Sequence, residues 1–146
     1  MKAGKRASKR HGRAIKTKEA PAPGGHYSQA ISVGGHIYVS GSGPFDPKTH
    51  KAVGKNIETQ TRQTMNNIRV ILKAAGASMS DVVKISIYLR NMKDFGGMDK
   101  IYKRFFPTNP PARTTAQVGL YGKERLIVVD AIAIKTKTGN VSRRGK

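Results

Sequence analysis

The sequence predicts an α+β fold in which a single mixed sheet carries two helices on one face. Short runs suited to strands alternate with two segments whose apolar residues recur every three or four positions. The resulting order is strand, strand, helix, strand, helix, strand, strand. One sheet with a layer of helices is the simplest way to bury the apolar faces of these elements. A chain of 146 residues can build one domain with a substantial core but not two ordinary ones.

The first two strands are predicted at residues 27–33 and 36–40, after a linker rich in proline and glycine at residues 20–25. Gly34 and Gly35 lie between them and accept the positive φ angles of a tight hairpin turn. A turn-rich loop follows as far as residue 49.

The first helix is predicted to begin after Asn56, a suitable N-cap, and to end at Gly76. Its buried side is predicted to consist of Ile57, Thr61, Met65, Ile68, Leu72 and Ala75. The second helix is predicted to be capped by Asp94 and ended by Pro107. Its buried side is predicted to consist of Met98, Ile101, Tyr102 and Phe105.

The strand between the helices shows alternating polarity, which predicts one dry face. Its apolar residues are Val83, Ile85, Ile87 and Leu89. Residues 125–134 form a nearly unbroken apolar run, which favours a strand covered on both faces. Because both helices lie on one side, the other sheet face, with Tyr88 and Arg90, is predicted to be open and to be buried by other subunits.

Another strand is predicted just before the apolar run at residues 125–134, and Arg113 follows two prolines at its start. A guanidinium at such a position can reach a carboxylate or phosphate in a cleft. The alternative is a surface arginine without a partner.

The net charge of +20 is concentrated at the two ends of the chain. Residues 1–20 and 135–146 carry twelve of these charges and are predicted to be basic tails, disordered unless a polyanion neutralises them, on either side of a domain at residues 21–134. The tails lack the aromatic and leucine content of a membrane-surface helix, so RNA phosphates are the predicted partner. A generic solvated or targeting tail is the alternative. The candidate RNA-binding residues are Lys2, Lys5, Arg6, Lys9, Arg10, Arg13, Lys16, Lys18, Arg143, Arg144 and Lys146.

Composition excludes several other classes. The chain has no cysteine, which excludes a disulfide scaffold, a thiolate metal site and a cysteine nucleophile. No apolar run approaches the roughly 20 residues that span a bilayer, and no hydrophobic segment follows the basic start, so neither a membrane protein nor a secretory signal is predicted. A cytoplasmic location is expected. The four histidines show no ligand spacing, and neither a metal nor another cofactor is predicted.

Five groups of short motifs, in one order over residues 21–134, carry a family resemblance. The first two groups are residues 25–30 (Gly-His-Tyr-Ser-Gln-Ala) and residues 40–41 with 44–49 (Ser-Gly and Pro-Phe-Asp-Pro-Lys-Thr). The third group consists of Asn67, residues 75–76 (Ala-Gly) and residues 81–84 (Asp-Val-Val-Lys). The last two are residues 111–113 (Pro-Ala-Arg) and residues 130–133 (Asp-Ala-Ile-Ala). This pattern resembles the Rid family, the YjgF-type reactive intermediate deaminases. The resemblance implies a chorismate-mutase-like fold and a homotrimer whose three sheets form a central barrel, with clefts between subunits.

The resemblance also implies an activity. Archetypal members hydrolyse enamines and imines such as 2-iminobutanoate to 2-oxo acids and ammonia. It assigns Arg113 to the substrate carboxylate, Tyr27 to the cleft wall and Thr115 to a position that is commonly cysteine. The glutamate that positions the attacking water is replaced by Val128, so the loss of a general base, worth about 10²–10⁴-fold, is expected. Residues 42–43 likewise depart from the glutamine that often follows Ser-Gly.

Asp130 lies on the same strand face as Val128, about 6–7 Å further along. We expect it to be a structural acid paired with a basic neighbour rather than a substitute base.

Two functions from different classes therefore remain. The favoured one is an RNA-binding, ribosome-associated Rid-fold protein that acts through its basic ends and has a weakened cleft. The alternative is an active 2-iminobutanoate/2-iminopropanoate deaminase. Ribonuclease activity, known in some relatives, is a weaker branch because no acid–base pair is evident.

Overall fold

The computed structural model describes residues 12–135, and the chain forms six strands and two helices over this range. The predicted order of elements is confirmed, with one additional strand at the start. The elements are β1 Arg13–Ile15, β2 Ala30–Val33, β3 His36–Ser42, α1 Ile57–Ala74, β4 Val82–Leu89, α2 Phe95–Phe105, β5 Ala112–Gln117 and β6 Ile127–Ile134, with short 3₁₀ turns at Met79–Asp81 and Met92–Asp94.

All six strands belong to one sheet in the order β1-β2-β3-β6-β4-β5. The pairings are antiparallel except for β4 with β5, which run parallel, so the sheet is mixed as predicted. Both helices pack on one face of it. Strand β6, the last in the chain order of the described residues, lies in the middle between β3 and β4.

The predicted domain boundary at residue 21 is too late. Strand β1 pairs with β2, and Ile15 and Ala20 are buried in the core. The side chain of Gln29 ties this segment down, because its Oε1 accepts the Thr17 N–H at 2.8 Å. The strand was concealed because it has only three residues and lies within a basic segment. Residues 1–11 and 136–146 lie outside the described range, so the tail predictions that fall on them remain predictions.

The predicted signals of the first hairpin and helix are confirmed. Gly34 and Gly35 have φ angles of 56° and 80°. The Asn56 side chain accepts the Thr59 N–H at 2.8 Å, and Gly76 follows α1 with φ of 80°. The six residues predicted for the inner side of α1 are all buried. Strand β2 is shorter than predicted, because residues 24–27 form a turn in which the Tyr27 N–H bonds to the Gly25 carbonyl.

The predicted cap of the second helix is wrong. Asp94 makes no capping hydrogen bond, and its backbone is already helical because a 3₁₀ turn runs directly into α2. Asn91 caps that turn instead, accepting the Lys93 N–H at 2.9 Å. Phe105, predicted to be buried, is only partly so, while Phe106 is buried.

Val83 also departs from the prediction. The register between β4 and β6 shifts between Val82 and Lys84, and this irregularity buries Val82 while Val83 is left 44% exposed. Ile85, Ile87 and Leu89 face the helices as predicted. Alternation alone does not reveal a β-bulge.

The two sheet faces differ sharply in coverage. Alternate residues of β6 are buried under the helices, namely Ile127, Val129, Ala131 and Ala133. On the other face Val33, Tyr38 and Ile134 are 46%, 44% and 39% exposed. The open face is therefore present as predicted, but β6 is covered on one face within this chain, not on both. Exposed apolar groups that adjoin one another in this way are typical of an interaction surface.

Arg90 does not decorate the open face as predicted. Its guanidinium donates to the carbonyls of Arg125 at 2.9 Å and Leu120 at 3.3 Å, and also to that of Gly122. Arg90 therefore fixes the loop between β5 and β6.

Two buried carboxamides attach loops to α1. Gln60 donates to the carbonyls of Gly54 and Glu124 and accepts the Leu126 N–H, at 2.8–3.1 Å. Asn67 donates to the carbonyls of Gly43 and Phe45 at 3.0 and 2.9 Å. Such side chains satisfy backbone groups that strands and helices leave unpaired.

Within residues 12–135, the helices are too short or too polar to cross a membrane.

Replacing Gln60 by the similarly shaped methionine tests the loop attachment. Because Gln60→Met leaves two carbonyls and one N–H without their partner, the free energy of unfolding should fall by about 1–3 kcal/mol. Urea unfolding measures the change. Lys73→Met, an exposed position on the same helix, is the control and should change stability by less than about 0.5 kcal/mol. Equal losses in the two variants would contradict this role of Gln60.

Candidate functional site

A cavity of about 470 Å³ lies between the proline-rich segment before β2 and the end of β3. Its walls include residues 21–24, Tyr27, residues 40–43, Phe45, Asn67 and Arg125. The cavity lies within one chain and combines apolar walls with a few polar groups, which is typical of a small-molecule site.

Hydrogen bonds fix the walls of this cavity. The Ser40 hydroxyl donates to the Ser28 carbonyl at 2.6 Å, and Asn67 holds the loop that contains Phe45. The Tyr27 ring is 52% exposed, and its hydroxyl accepts the Gly24 N–H at 3.1 Å. The sequence-predicted cleft residue Tyr27 therefore lines the cavity.

Val128 borders the same region from behind the wall. An added Cβ at Gly41 would lie 3.1 Å from Val128 Cγ1, so the backbone of the cavity wall packs directly on this side chain. The position where the resemblance expects a water-activating glutamate thus presents methyl groups to the wall. Chemically, this leaves the wall without a base at that point.

The ion pair predicted for Asp130 is not formed within the described part of the chain, and the expectation that Asp130 is not a substitute base stays a prediction. It lies opposite Ser86 in the sheet. Across residues 12–135, no lysine or arginine nitrogen comes within 4.0 Å of its carboxylate.

Arg113 lies on β5 and turns toward α2. Its Nη1 donates to Asp99 Oδ1 at 2.7 Å, and its guanidinium lies 4.7 Å from the Tyr102 ring centroid and 5.4 Å from that of Phe95. The alternative of an unpartnered surface arginine is therefore wrong. The guanidinium is held between two aromatic rings and is already paired with a carboxylate of its own chain.

The hydrogen bond from Arg113 holds the pKa of Asp99 below its ordinary value, although partial burial acts in the opposite direction. Lys103, at 3.3 Å, acts in the same sense as Arg113. Burial raises the pKa of Tyr102, whose hydroxyl has no hydrogen-bond partner among the residues described. Asp99 is thus ionised at neutral pH and neutralises much of the charge on Arg113.

Thr115 shares the helix-facing side of β5 with Arg113. It pairs with Ile87 in the parallel ladder, and its buried Oγ1 finds no hydrogen-bond partner within the described part of the chain. It does not reach the cavity lined by Tyr27.

A single chain does not bring Tyr27 and Arg113 together. Arg113 is on β5, the strand at one edge of the sheet, while Tyr27 precedes β2, which lies four strand positions away. Four inter-strand spacings amount to about 19 Å, too far for one small ligand to reach both.

Sequence reasoning missed two charged residues of these sites. Asp99 occupies the inner side of α2, three residues before Tyr102. Residues at this spacing are neighbours on a helix surface, and this was the available sequence signal that Asp99 lies beside the buried Tyr102. Arg125 lines the cavity with its guanidinium 4.8 Å from the Phe45 ring centroid. No sequence pattern indicated this position, because a loop places it.

The predicted RNA-binding residues are only partly described. Arg13 is an exposed residue of β1, and Lys16 and Lys18 are exposed in the segment that follows. The other eight, Lys2, Lys5, Arg6, Lys9, Arg10, Arg143, Arg144 and Lys146, lie outside residues 12–135.

Comparison with known proteins gives consistent matches over the described domain. The family model described as endoribonuclease L-PSP matches residues 17–135. A RutC family protein of Pyrococcus horikoshii is 45% identical over 121 residues, which cover 83% of this chain and 96% of that protein. A 2-iminobutanoate/2-iminopropanoate deaminase of Rattus norvegicus is 40% identical, with 83% and 88% covered. The crystal structure of RidA from the Antarctic bacterium Psychrobacter sp. superimposes with a TM-score of 0.80 at 34% identity and covers 84% of this chain and 98% of that one.

The ion pair between Asp99 and Arg113 predicts a specific dependence of stability on pH. Because the pKa of Asp99 is lower in the folded chain than its ordinary value of 3.8, the pair adds stability above that pH, and the contribution is lost as the pH falls through the folded pKa. In Asp99→Asn the free energy of unfolding at pH 7 should drop by about 1 kcal/mol, and the loss should shrink below pH 4. Chemical denaturation at several pH values measures it.

Asp94→Asn is the matched control, since Asp94 makes no ion pair within residues 12–135. An identical pH profile for both variants would contradict the assignment to the ion pair.

Proposed function

Because the chain belongs to the Rid family of YjgF-type proteins, we propose that it uses this fold as an RNA-binding, ribosome-associated protein whose imine deaminase cleft is weakened. The proposal includes a homotrimer formed through the open sheet face. A trimer would carry roughly +60 formal charges, three times the charge of the chain.

The observation that carries the proposal is the lack of compensating acids. Against 28 lysines and arginines stand eight aspartates and glutamates. Residues 1–11 and 136–146 hold nine of the basic side chains and no Asp or Glu. A surplus of this size favours a polyanionic partner, because each phosphate contact releases a counterion.

The same charges favour a particular mode of recognition. The candidate tail segments contain no Phe, Tyr or Trp that could stack on a base, so contacts to phosphates would dominate over contacts to bases. Three copies of each basic segment on one assembly would bind a folded RNA at several points at once, which multiplies affinity. Cytoplasmic ribosomal RNA is the partner that we propose.

Two features support a weakened cleft. Val128 offers no base where the resemblance expects one, and Arg113 is already neutralised by Asp99 at 2.7 Å. A substrate carboxylate would have to compete with Asp99 for this guanidinium. Both the activation of water and the binding of the substrate would therefore suffer.

RNA binding by this mechanism should depend steeply on salt. We expect the affinity of the full chain for ribosomal RNA to fall by about 10³-fold or more between 50 and 200 mM salt, because several phosphates are neutralised together. A variant with the basic residues of 1–11 and 136–146 changed to glutamine should bind weakly at both salt concentrations. Filter binding measures the affinities, and co-sedimentation with ribosomes from the native cell at low salt tests the association. Affinity that does not change with salt would overturn the proposal.

A second candidate is an active 2-iminobutanoate/2-iminopropanoate deaminase. Arg113 and Tyr27 are both retained, and the rat relative bears that name. Since Tyr27 precedes β2 and Arg113 lies on β5, four strand positions away, this candidate needs a second subunit whose β5 edge comes beside the Tyr27 cavity.

Kinetics on 2-iminobutanoate, with semicarbazide as the competing trap, decides between a decayed and a working cleft. In a decayed cleft the parent should be nearly inactive, and Val128→Glu should raise kcat/KM by about 10²–10⁴-fold. Val128→Gln has the same length without a base and should not. Arg113→Ala should abolish any turnover. A parent that is already fast, and unaffected by Val128→Glu, would show that the cleft works without this base.

A further inference from the structure

A groove between α1 and α2 on the outer side of the helical layer gathers three arginines. Arg62 and Arg69 come from α1 and Arg104 from α2, and all three are exposed. Ile101 and Phe105 contribute to the apolar floor. This groove is separate from both the Tyr27 cavity and the Arg113 site, and neither the basic ends nor the deaminase cleft includes its residues.

The arginines are arranged along the groove. Arg62, Asn66 and Arg69 follow one another at positions i, i+4 and i+7 of α1, so they line one side of that helix. Arg62 and Arg69 are separated by about 10 Å along the helix axis. The Arg69 guanidinium lies 5.0 Å from the Phe105 ring centroid on the opposite helix, which holds it over the groove.

No acidic side chain within residues 12–135 forms an ion pair with these arginines, and Glu58, one turn before Arg62 on α1, pairs with Lys100 instead. The three ion pairs of that range involve Lys100, Lys103 and Arg113, and none involves a groove arginine. The remaining residues of the chain contain no Asp or Glu that could pair with them. The guanidinium groups are therefore available to an external anion.

We propose that this groove binds the phosphate backbone of RNA and serves as a folded counterpart to the basic ends. The inference rests on the proposed function and extends it. A row of guanidinium groups over about 10 Å suits a chain of phosphates better than one small anion. The Phe105 ring is already covered by Arg69, so the groove would contact backbone rather than stack on bases. It lies on the side of the sheet opposite the apolar face, and a trimer formed through that face leaves it accessible.

Paired substitutions in the full chain test the groove. Arg62→Gln with Arg69→Gln removes two positive charges from it, and Lys51→Gln with Lys123→Gln removes two from exposed loops elsewhere. At low salt the groove variant should bind a single-stranded oligouridylate about tenfold more weakly, and its slope of log affinity against log salt should fall by about 1.4. The lysine variant should lose much less. Arg62→Lys with Arg69→Lys keeps the charge and should recover part of the affinity. Equal thermal unfolding of all variants establishes that each is folded.

The outcomes separate the two proposals when the groove substitutions are also made in the chain whose residues 1–11 and 136–146 have been neutralised. If the parent binds no RNA, the proposed function fails, and this inference fails with it. If the parent binds and the tail variant is weakened, but the groove and lysine variants lose affinity equally, the groove alone is overturned. A groove effect that exceeds the lysine effect in both backgrounds supports the inference.

Discussion

The uneven coverage of the sheet governs the rest of the structure. Both helices lie on one face, and the opposite face keeps Val33, Tyr38 and Ile134 substantially exposed. Apolar surface of this kind favours association, since its removal from water is worth about 25 cal/mol per Å². Association through that face would also leave the outer surface of the helices free for a separate task. One asymmetry thus divides the molecule into an assembly side and a charged side.

Several of the eight carboxylates of the chain have specific local roles. Glu58 pairs with Lys100 across the two helices, Asp46 caps a loop through the N–H groups of Lys48 and Thr49, and Asp99 pairs with both Arg113 and Lys103. None of them forms an ion pair with the three groove arginines, because Glu58, one helical turn before Arg62, is engaged by Lys100. The surplus of positive charge is therefore local as well as global, and Asp99 draws a guanidinium away from ligand binding where the family resemblance expects it to be free.

Local patterns predicted the helices and most strands because periodicity and caps are encoded in neighbouring residues, as Asn56 and the Gly34–Gly35 turn illustrate. Local patterns failed where pairing between distant strands decides the structure. Strand β1 has only three residues within a basic segment and forms because β2 offers an edge. Val83 is turned outward by an irregularity in the pairing with β6. The motifs located Tyr27, Arg113 and Val128, but the wide separation of the first two and the pairing with Asp99 emerge from sheet order and helix packing, which no short motif specifies.

The position of β6 has a consequence for how the chain acquires its fold. Its ladder with β3 joins His36 to Ile134, and its other edge pairs with β4. Contacts between such distant residues are slow to form, because a long loop must close before they provide any stabilisation. During translation, β3 and β4 expose unpaired edges until residues 127–134 leave the ribosome. Nascent chains of this protein are thus vulnerable to edge-to-edge aggregation until β6 is available to pair with both strands and complete the sheet.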